Sequence, residues 1–262
     1  MASRHPYFVE NISKERILEM WNESAEKYSA DLYGHLKEEI VGYLTSNDFL
    51  NIDDTMLDIG SGPGTFAIPL SRHVRRIDCM DSSEAMLLRV VQSCKDEDVE
   101  NIRVYNCDWE GYNPIVRHDV AFASLCPPTN SPKSILKMDA CSKRNCIYIS
   151  SANKDPDISK DIWRRLGKIY SFQGYDTKYP YEFLRGNGRD PTLRIFEEDT
   201  HMEVPLDEMI DREMRRLSAY SPLSQDDKDD VINVIRSYST EGIVCLDRTV
   251  RIGVLTWQPD RH

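Results

Sequence analysis

A glycine-rich turn between an apolar strand and a helix constrains this chain more than any other feature. The strand pattern begins at Thr55, and a helical pattern follows the turn from Phe66 to Val74. The segment reads Leu57-Asp58-Ile59-Gly60-Ser61-Gly62-Pro63-Gly64-Thr65. Glycines at such a turn let the backbone bend sharply and approach a ligand closely, because no Cβ atom intervenes. The pattern therefore predicts a ligand site at the carboxyl end of a strand.

Two details of the turn narrow the class of ligand. The glycines are spaced Gly-x-Gly-x-Gly, whereas NAD and FAD enzymes use Gly-x-Gly-x-x-Gly. Asp58 also lies two positions before the first glycine, where dinucleotide-binding folds usually keep an apolar strand residue. A simple loop cap is the alternative role for Asp58, but its position before the glycines favours a ligand role.

Short apolar strands alternate with helices from about residue 55 onward. Strands are expected at 55–60, 76–81, 102–106, 119–125 and 145–150, with helices between them. Such alternation predicts an α/β fold with a doubly wound, mostly parallel sheet that carries helices on both faces. Later patterns predict helices at 160–172, 207–217 and 225–238, and strands at 193–204 and 249–257.

These patterns predict one domain with four parts. Residues 1–50 are expected to form N-terminal helices, one of them capped by Ser13, and residues 51–151 the ligand-binding core. A helical lid with the sixth strand is expected over 152–242, and the last strand over 243–262. The lid is expected to decorate the same sheet.

Acidic residues also end the second and third strands. Asp81 is placed to accept hydrogen bonds from both ribose hydroxyls of an adenosine ligand. Asp108 and Trp109 follow the third strand, where an acid beside an aromatic would hold the adenine amino group and cover the ring. Two alternatives remain open. In the first, Asp81 is a helix N-cap, and Glu84 completes a capping box. In the second, Asp108 and Trp109 only end the strand, and the indole of Trp109 is packed.

This order of motifs resembles the class I S-adenosylmethionine (SAM)-dependent methyltransferases. The segment from Asp58 to Gly64 looks like motif I of that family, and Asp81 and Asp108-Trp109 fall where the family keeps its ribose and adenine contacts. An N-terminal segment, 21–28, is similar to the helix that lies over SAM in the small-molecule branch. The similarity covers residues 15–151 and the final strand. It implies a seven-stranded sheet of order 3-2-1-4-5-7-6 with the seventh strand antiparallel.

The resemblance also implies SAM as the cofactor and a set of residues that bind it. These lie in the N-terminal helix, the glycine turn and the strand ends: Tyr28, Asp58, Gly60, Ser61, Gly62, Gly64, Asp81, Ser82, Met86, Asp108, Trp109 and Ser124. Tyr28 is equally well explained as a core aromatic.

The segment after the fourth strand is expected to pass close to the methyl group of SAM. It runs Ser124-Leu125-Cys126-Pro127-Pro128-Thr129 and resembles the Asn/Asp-Pro-Pro-aromatic motif of nitrogen methyltransferases. Cys126 and Thr129 depart from that motif, so nitrogen specificity is not carried over. Cys126 is the one candidate for a catalytic residue, lining the pocket or binding a soft acceptor, with an inert loop cysteine as the alternative. Methyl transfer requires a general base only when the nucleophile is protonated.

Other polar residues are weaker candidates for contact with the methyl acceptor. Arg185, Arg189 and Arg194 flank a Gly-Asn-Gly loop and would suit a carboxylate clamp, with solvent-facing charges as the alternative. Tyr33 and His35 would face the acceptor or lie on a helix surface.

Charge and cysteine content restrict the partners and the compartment. The formal net charge is −11, which makes the chain a poor general binder of nucleic acid. No apolar run is long enough to span a bilayer, and no signal-peptide core is present, so a cytoplasmic location is expected. The 7 cysteines include no Cys-x-x-Cys pair. They are expected to be thiols, and no metal site is expected.

The sequence thus favours an enzyme that transfers a methyl group from SAM to a small molecule and releases S-adenosylhomocysteine (SAH). A protein or tRNA acceptor is the minority form of this hypothesis. The alternatives from other classes are a nicotinamide- or flavin-dependent oxidoreductase and a non-catalytic SAM-binding module.

Overall fold

A computed structural model describes residues 14–26, 34–114, 116–129, 131–152, 157–167, 177–218 and 223–260. Within these residues the chain forms nine helices and eight strands. The helices are α1 (Lys14–Ser24), α2 (His35–Ser46), α3 (Ala67–Leu70), α4 (Glu84–Asp96), α5 (Pro132–Cys141), α6 (Asp157–Arg165), α7 (Lys178–Gly186), α8 (Leu206–Ser218) and α9 (Gln225–Ser237). The strands are β1 (Thr55–Ile59), β2 (Arg76–Asp81), β3 (Ile102–Asn106), β4 (His118–Ser124), β5 (Ser142–Ser151), β6 (Thr192–Pro205), β7 (Ser239–Thr240) and β8 (Ile243–Trp257).

The strands form one sheet of order β3-β2-β1-β4-β5-β8-β6, with β7 paired to β8. Strands β1 to β5 are parallel to one another, whereas β8 runs antiparallel to β5. The prediction of a mostly parallel α/β sheet is confirmed. The predicted seven-strand order 3-2-1-4-5-7-6 is not confirmed as stated. A two-residue strand, β7, pairs with the start of β8, so the sheet has eight strands and its eighth lies beside β5.

The chain divides into two compact units. The helical unit comprises Met1–Met20, Asn153–Gln173 and Glu198–Val250, and the sheet unit comprises Trp21–Ala152, Gly174–Glu197 and Arg251–His262. The prediction of one domain with an inserted lid stays a prediction.

The helical unit has an apolar core of its own. Helix α9 contacts both α6 and α8. Its Val231 and Ile235 are fully buried, together with Ile162 of α6 and Val244 of β8. The apolar positions of these helices recur every three to four residues and bring one face of each helix into this core.

The sheet unit buries its central strands on both faces. Strand β1 is buried along its whole length, as expected for a parallel strand covered on each side. One face packs against α5 and α7 through Ile135, Met138 and Leu184. Strand β3 is the edge of the sheet and is largely exposed. The carboxyl ends of β1, β2, β3 and β4 therefore lie side by side on a rigid support.

Three helices differ from the sequence prediction. Helix α6 begins at Asp157 and ends at Arg165, whereas a helix at 160–172 was predicted, and 168–172 lie outside the described residues. The helix predicted from Phe66 to Val74 is a four-residue α-helix, α3, followed by a 3₁₀ turn at Ser71–His73. Pro69 lies inside this segment and has no amide to donate to a regular helical bond. Helix α7 was not predicted; its Pro180 lies in the first turn, where proline is tolerated. The predicted cap Ser13 lies outside the described residues.

Candidate functional site

The glycine turn after β1 is fixed to the end of β2 by main-chain hydrogen bonds. The amides of Gly60 and Ser61 both donate to the carbonyl of Met80, at 2.7 Å and 3.0 Å. The amide of Gly64 donates back to the carbonyl of Ser61 at 3.1 Å. The turn is therefore a closed loop whose position depends on β2.

Each glycine of the turn has a positive φ, but the surroundings of each differ. The φ values are 66° at Gly60, 53° at Gly62 and 86° at Gly64. A Cβ atom at Gly60 would lie 2.3 Å from the Cys126 sulfur, and one at Gly64 would lie 3.3 Å from Ile68 Cγ1. At Gly62 a Cβ atom would meet nothing within 4 Å. Packing therefore explains Gly60 and Gly64, whereas Gly62 faces open space where a ligand can approach the backbone.

Asp81 joins the glycine turn to the start of α4. Its Oδ2 accepts a hydrogen bond from the Gly62 amide at 2.9 Å, and its Oδ1 accepts one from the Ser83 amide at 2.8 Å. Burial raises the pKa of Asp81, although these amide bonds oppose the rise. The carboxyl is only partly buried, so both oxygens keep lone pairs for further donors.

Asp58 lies beneath the turn and is almost fully buried. Burial, together with the nearby Asp81 charge, raises the pKa of Asp58 to about 8. Two carboxyl groups thus share one poorly hydrated corner at the ends of β1 and β2. A ligand that brings hydroxyl donors or positive charge would favour their ionised forms.

The cap of α4 is Ser83, and the hypothesis that Asp81 is this N-cap is wrong. The Ser83 hydroxyl accepts a hydrogen bond from the Met86 amide at 3.2 Å, while Asp81 is bonded to the turn instead. Of the other predicted contacts here, Ser82 is exposed and Met86 is buried in the core.

The sequence analysis did not identify Asn22 of α1 as a residue that contacts the start of α4 beside the site. The Ser83 hydroxyl donates to Asn22 Oδ1 at 2.6 Å, and Arg89 donates to the carbonyl of Ala25 at 2.7 Å. The end of α1 is thereby held against the first turns of α4, beside Asp81. Only the tertiary structure gives this pairing, because no local pattern links the two segments. The predicted contact Tyr28 and the acceptor candidate Tyr33 lie outside the described residues, and His35 is exposed.

The segment after β3 brings Asp108 and Trp109 to the same edge of the sheet. The amide of Cys107 donates to the carbonyl of Asp81 at 3.0 Å, which fixes the end of β3 to that of β2. Asp108 is exposed, whereas Trp109 is only 3% exposed. Its ring stacks on Tyr112 at 5.9 Å between centroids. The indole is therefore packed, as the alternative hypothesis held, and Asp108 carries the accessible polar group.

Cys126 has a packing role at the end of β4. Its side chain is buried against Gly60, and burial raises the pKa of its thiol far above the usual range, which favours the neutral thiol. The Cys126 carbonyl accepts hydrogen bonds from the Thr129 hydroxyl at 2.6 Å and the Thr129 amide at 3.1 Å. Leu125 has a φ of 44°, which turns the chain out of the strand just after the half-buried Ser124. These contacts favour the inert loop cysteine, and a catalytic role for Cys126 stays a prediction.

The three arginines do not form a carboxylate clamp. Arg189 donates to Asp139 at 2.8 Å and to Asp260 at 3.0 Å, and its side chain is only 14% exposed. Arg194 lies 4.9 Å from the ring centroid of Tyr43. Arg185 is exposed on α7. The solvent-facing alternative is also wrong for Arg189, because the buried Asp139 binds its guanidinium.

The described residues lack a candidate metal site and a membrane-spanning helix. No group of three or more His, Cys, Asp and Glu side chains in this part of the chain is arranged to hold a metal ion. None of its helices is both long and apolar enough to cross a membrane. All seven cysteines are described and are free thiols.

The strands that carry the polar residues of the site lie in a region that matches a protein-family model. Residues 56–138 match the family described as "Methyltransferase domain". Over these residues the chain is similar to that family. The match includes the glycine turn, Asp81, Asp108 and the Cys126 segment, so the predicted methyltransferase recognition is confirmed for the region that carries the motifs.

A solved structure extends the likeness over most of the fold. A SAM-dependent methyltransferase from Geobacter sulfurreducens, determined in complex with SAH, superposes on the chain with a TM-score of 0.54. It is 15% identical, and the match covers 93% of this chain and 98% of that protein. The two proteins therefore share a fold over most of this chain.

Two curated relatives match only part of this chain and part of their own length. An uncharacterised protein of Haemophilus influenzae is 21% identical over 56% of this chain and 55% of its own length. The 23S rRNA (uracil(1939)-C(5))-methyltransferase of Pseudomonas putida is 24% identical over 58% of this chain and 31% of its own length. The chain thus matches about half or less of the length of these relatives.

Proposed function

We propose that the protein transfers a methyl group from SAM to a small-molecule acceptor and releases SAH. The observation that carries this proposal is the position of Asp81. Its carboxyl is held by the amides of Gly62 and Ser83 at the carboxyl edge of the methyltransferase domain, yet it remains partly exposed. This arrangement suits a ligand that has neighbouring hydroxyl groups.

The chemistry of the donors and acceptors fits SAM. The ribose of SAM offers two hydroxyl donors, which suit the remaining lone pairs of Asp81. Its ammonium and sulfonium groups are positive, and they would relieve the electrostatic penalty on Asp58 and Asp81. The open space at Gly62 allows close approach to the backbone. The Geobacter sulfurreducens protein was crystallised with SAH, which supports the same cofactor here.

Bound SAM supplies an electrophilic methyl group on a sulfonium, which an acceptor displaces. The work left to the protein is to hold the two molecules in line and to keep water out. The turn and the Cys126 segment suit this role, because their backbones are fixed by hydrogen bonds to β2 and Thr129. The buried thiol of Cys126 is not needed as a base for an acceptor whose nucleophile carries no proton.

A small acceptor is favoured by the charge of the chain. The net charge of −11 opposes contact with phosphate backbones. The second candidate is an RNA acceptor, which the name of the Pseudomonas putida relative favours. The two candidates differ in the size and charge of the molecule that receives the methyl group.

Calorimetric titration tests the cofactor half of the proposal. Purified protein is titrated with SAH and separately with NAD, and the SAH titration is repeated on Asp81→Asn. Saturable SAH binding, absent for NAD and weakened by about tenfold or more in the variant, is expected from loss of a charged acceptor. Asp53→Asn is the matched control, because Asp53 is an exposed loop carboxyl. Failure of folded protein to bind SAH would contradict the proposal.

Label transfer tests the acceptor half. Protein and methyl-labelled SAM are incubated with separate small-molecule, RNA and protein fractions of a cell extract, with Asp81→Asn as the inactive control. Label is expected in the small-molecule fraction only. Label in RNA would replace the small-molecule acceptor by the second candidate, and label in no fraction despite SAH binding would support a non-catalytic module.

A further inference from the structure

Lys137 of α5 reaches across to the segment that follows β3. Its ammonium donates hydrogen bonds to the carbonyl of Trp109 and, at 3.4 Å, to the carbonyl of Glu110. The same ammonium lies 4.3 Å from the centroid of the Trp109 ring and 5.8 Å from that of Tyr112. One half-buried cation thus contacts both the backbone and the aromatic side chains of this segment.

The contacted segment is the one that carries Asp108. We call residues 107–112 the adenine loop. The amide of Tyr112 donates to the carbonyl of Asp108 at 2.9 Å, and the amide of Glu110 donates to Asp108 Oδ1 at 3.2 Å. These bonds shape the turn internally. The Cys107 amide already fixes the start of this loop to Asp81, and Lys137 adds an attachment of its middle to α5.

We propose that Lys137 is a positioning residue for base recognition, which holds the adenine loop so that Asp108 can accept a hydrogen bond from the adenine amino group. This inference rests on the proposed SAM site. Carbonyl oxygens and aromatic faces both attract a cation, and the attraction is stronger where water is excluded. Burial lowers the pKa of Lys137, and the Lys133 charge adds to this lowering, while Cys141 and Asp108 oppose it. Lys137 is therefore partly dehydrated and depends on these contacts.

The preference for adenine over hypoxanthine distinguishes a role of Lys137 in positioning Asp108 from a general contribution to the stability of the loop. Adenine carries an amino donor where hypoxanthine carries a carbonyl oxygen. A well-placed Asp108 carboxylate binds the donor and repels the oxygen. If Lys137 fixes Asp108 in place, its removal reduces the preference for adenine. A purely structural effect of the substitution would weaken the binding of both ligands by the same factor.

The experiment compares SAH with S-inosylhomocysteine, the analogue that carries hypoxanthine. Both ligands are titrated into wild type, Lys137→Met, Lys137→Gln and Lys133→Met. Lys133 is an exposed lysine one turn earlier on α5 and is the matched control. Wild type and Lys133→Met are expected to prefer SAH by about tenfold or more, as for one hydrogen bond to a charged group. Lys137→Met is expected to lose most of that preference.

Each outcome bears on one hypothesis. An unchanged preference in folded Lys137→Met would overturn the inference, even if both affinities fell. If Lys137→Met fails to fold, Lys137→Gln provides the same comparison, because it keeps a neutral donor but removes the charge. Equal binding of the two ligands by wild type would also overturn the inference, while leaving the SAM site intact. Absence of SAH binding by wild type would instead contradict the proposed function.

Discussion

At the residue scale, the buried carboxyl of Asp58 links folding stability to pH. Asp58 has its pKa raised to about 8, mainly by burial and secondly by Asp81. Between its unfolded pKa of about 4 and this value, the folded protein keeps a proton that the unfolded chain releases. Folding stability therefore falls as pH rises through that window, and the loss is complete only above the folded pKa.

Asp58→Asn should reduce this pH dependence in the ligand-free protein. The fall in unfolding free energy between about pH 5.5 and about pH 7.5 should be smaller in the variant by about 1 kcal/mol or more. Urea denaturation at both pH values measures the difference. Asp53→Asn should keep the wild-type slope, because Asp53 is exposed. Equal slopes in wild type and Asp58→Asn would contradict the assignment of the proton to Asp58.

Gly60 and Gly62 should respond differently to alanine, although both have a positive φ. At Gly60 the new methyl group meets Cys126, so strain and overpacking should together lower stability by about 3 kcal/mol. At Gly62 only backbone strain applies, about 1 kcal/mol. Denaturant midpoints measure both losses.

A third variant identifies the atom responsible for the larger loss. Cys126→Ala in the Gly60→Ala background should recover part of the stability, because it removes the sulfur that lies 2.3 Å from the new Cβ position. Equal losses at the two glycines, or additive effects of the pair, would rule out this contact as the reason for glycine at position 60.

At the element scale, a buried ion pair joins α5, the segment after α7, and β8. Asp139 accepts hydrogen bonds from Arg189 and, at 2.6 Å, from the indole of Trp257. A carboxylate buried at this depth requires its partners, because loss of one leaves the charge uncompensated. This ion pair explains why Arg189, which follows the Gly-Asn-Gly loop, is neither a solvent-exposed charge nor part of a carboxylate clamp.

Arg189→Met should therefore destabilise the protein by about 3 kcal/mol. Adding Asp139→Asn should lower the total loss below the sum of the two single losses, because the orphaned charge disappears. Arg185→Met, at an exposed position of the preceding helix, should change stability by about 0.5 kcal/mol or less. Thermal and urea unfolding measure these values, and a neutral Arg189→Met would contradict the ion-pair role.

Local patterns placed some elements accurately and missed others for identifiable reasons. Strands β2 and β3 have the predicted bounds, since their apolar runs end at Asp81 and Asn106. Strand β8 begins at Ile243, six residues before its predicted start at Thr249, because it pairs there with β7. Its Gly253 packs against Thr177, whose Cγ2 lies 2.1 Å from where a Cβ atom would be. Neither of these contacts is visible in a sequence window.

At the scale of the whole molecule, ligand binding should appear as stability. SAH at about a hundred times its Kd should raise the unfolding free energy by about 2.7 kcal/mol, because it binds only the folded state. NAD at the same concentration should leave the melting temperature unchanged. Asp81→Asn should lower this gain to about 1.4 kcal/mol or less at that concentration, because its Kd for SAH is expected to be about tenfold weaker or more. A melting temperature that responds equally to both nucleotides would count against the glycine spacing as a SAM signature.

The sequence by itself determined the α/β class, the glycine turn and the acidic strand ends, because these depend on backbone permissiveness and on periodicity along the chain. It also carried the methyltransferase resemblance, which the family match bears out. Only the tertiary structure decided that Cys126 packs on Gly60, that Arg189 pairs with Asp139, that Ser83 caps α4, and that Lys137 contacts the backbone at Trp109. Those roles depend on which side chains meet across distant segments, and burial, charge and shape select such pairs only once the sheet has formed.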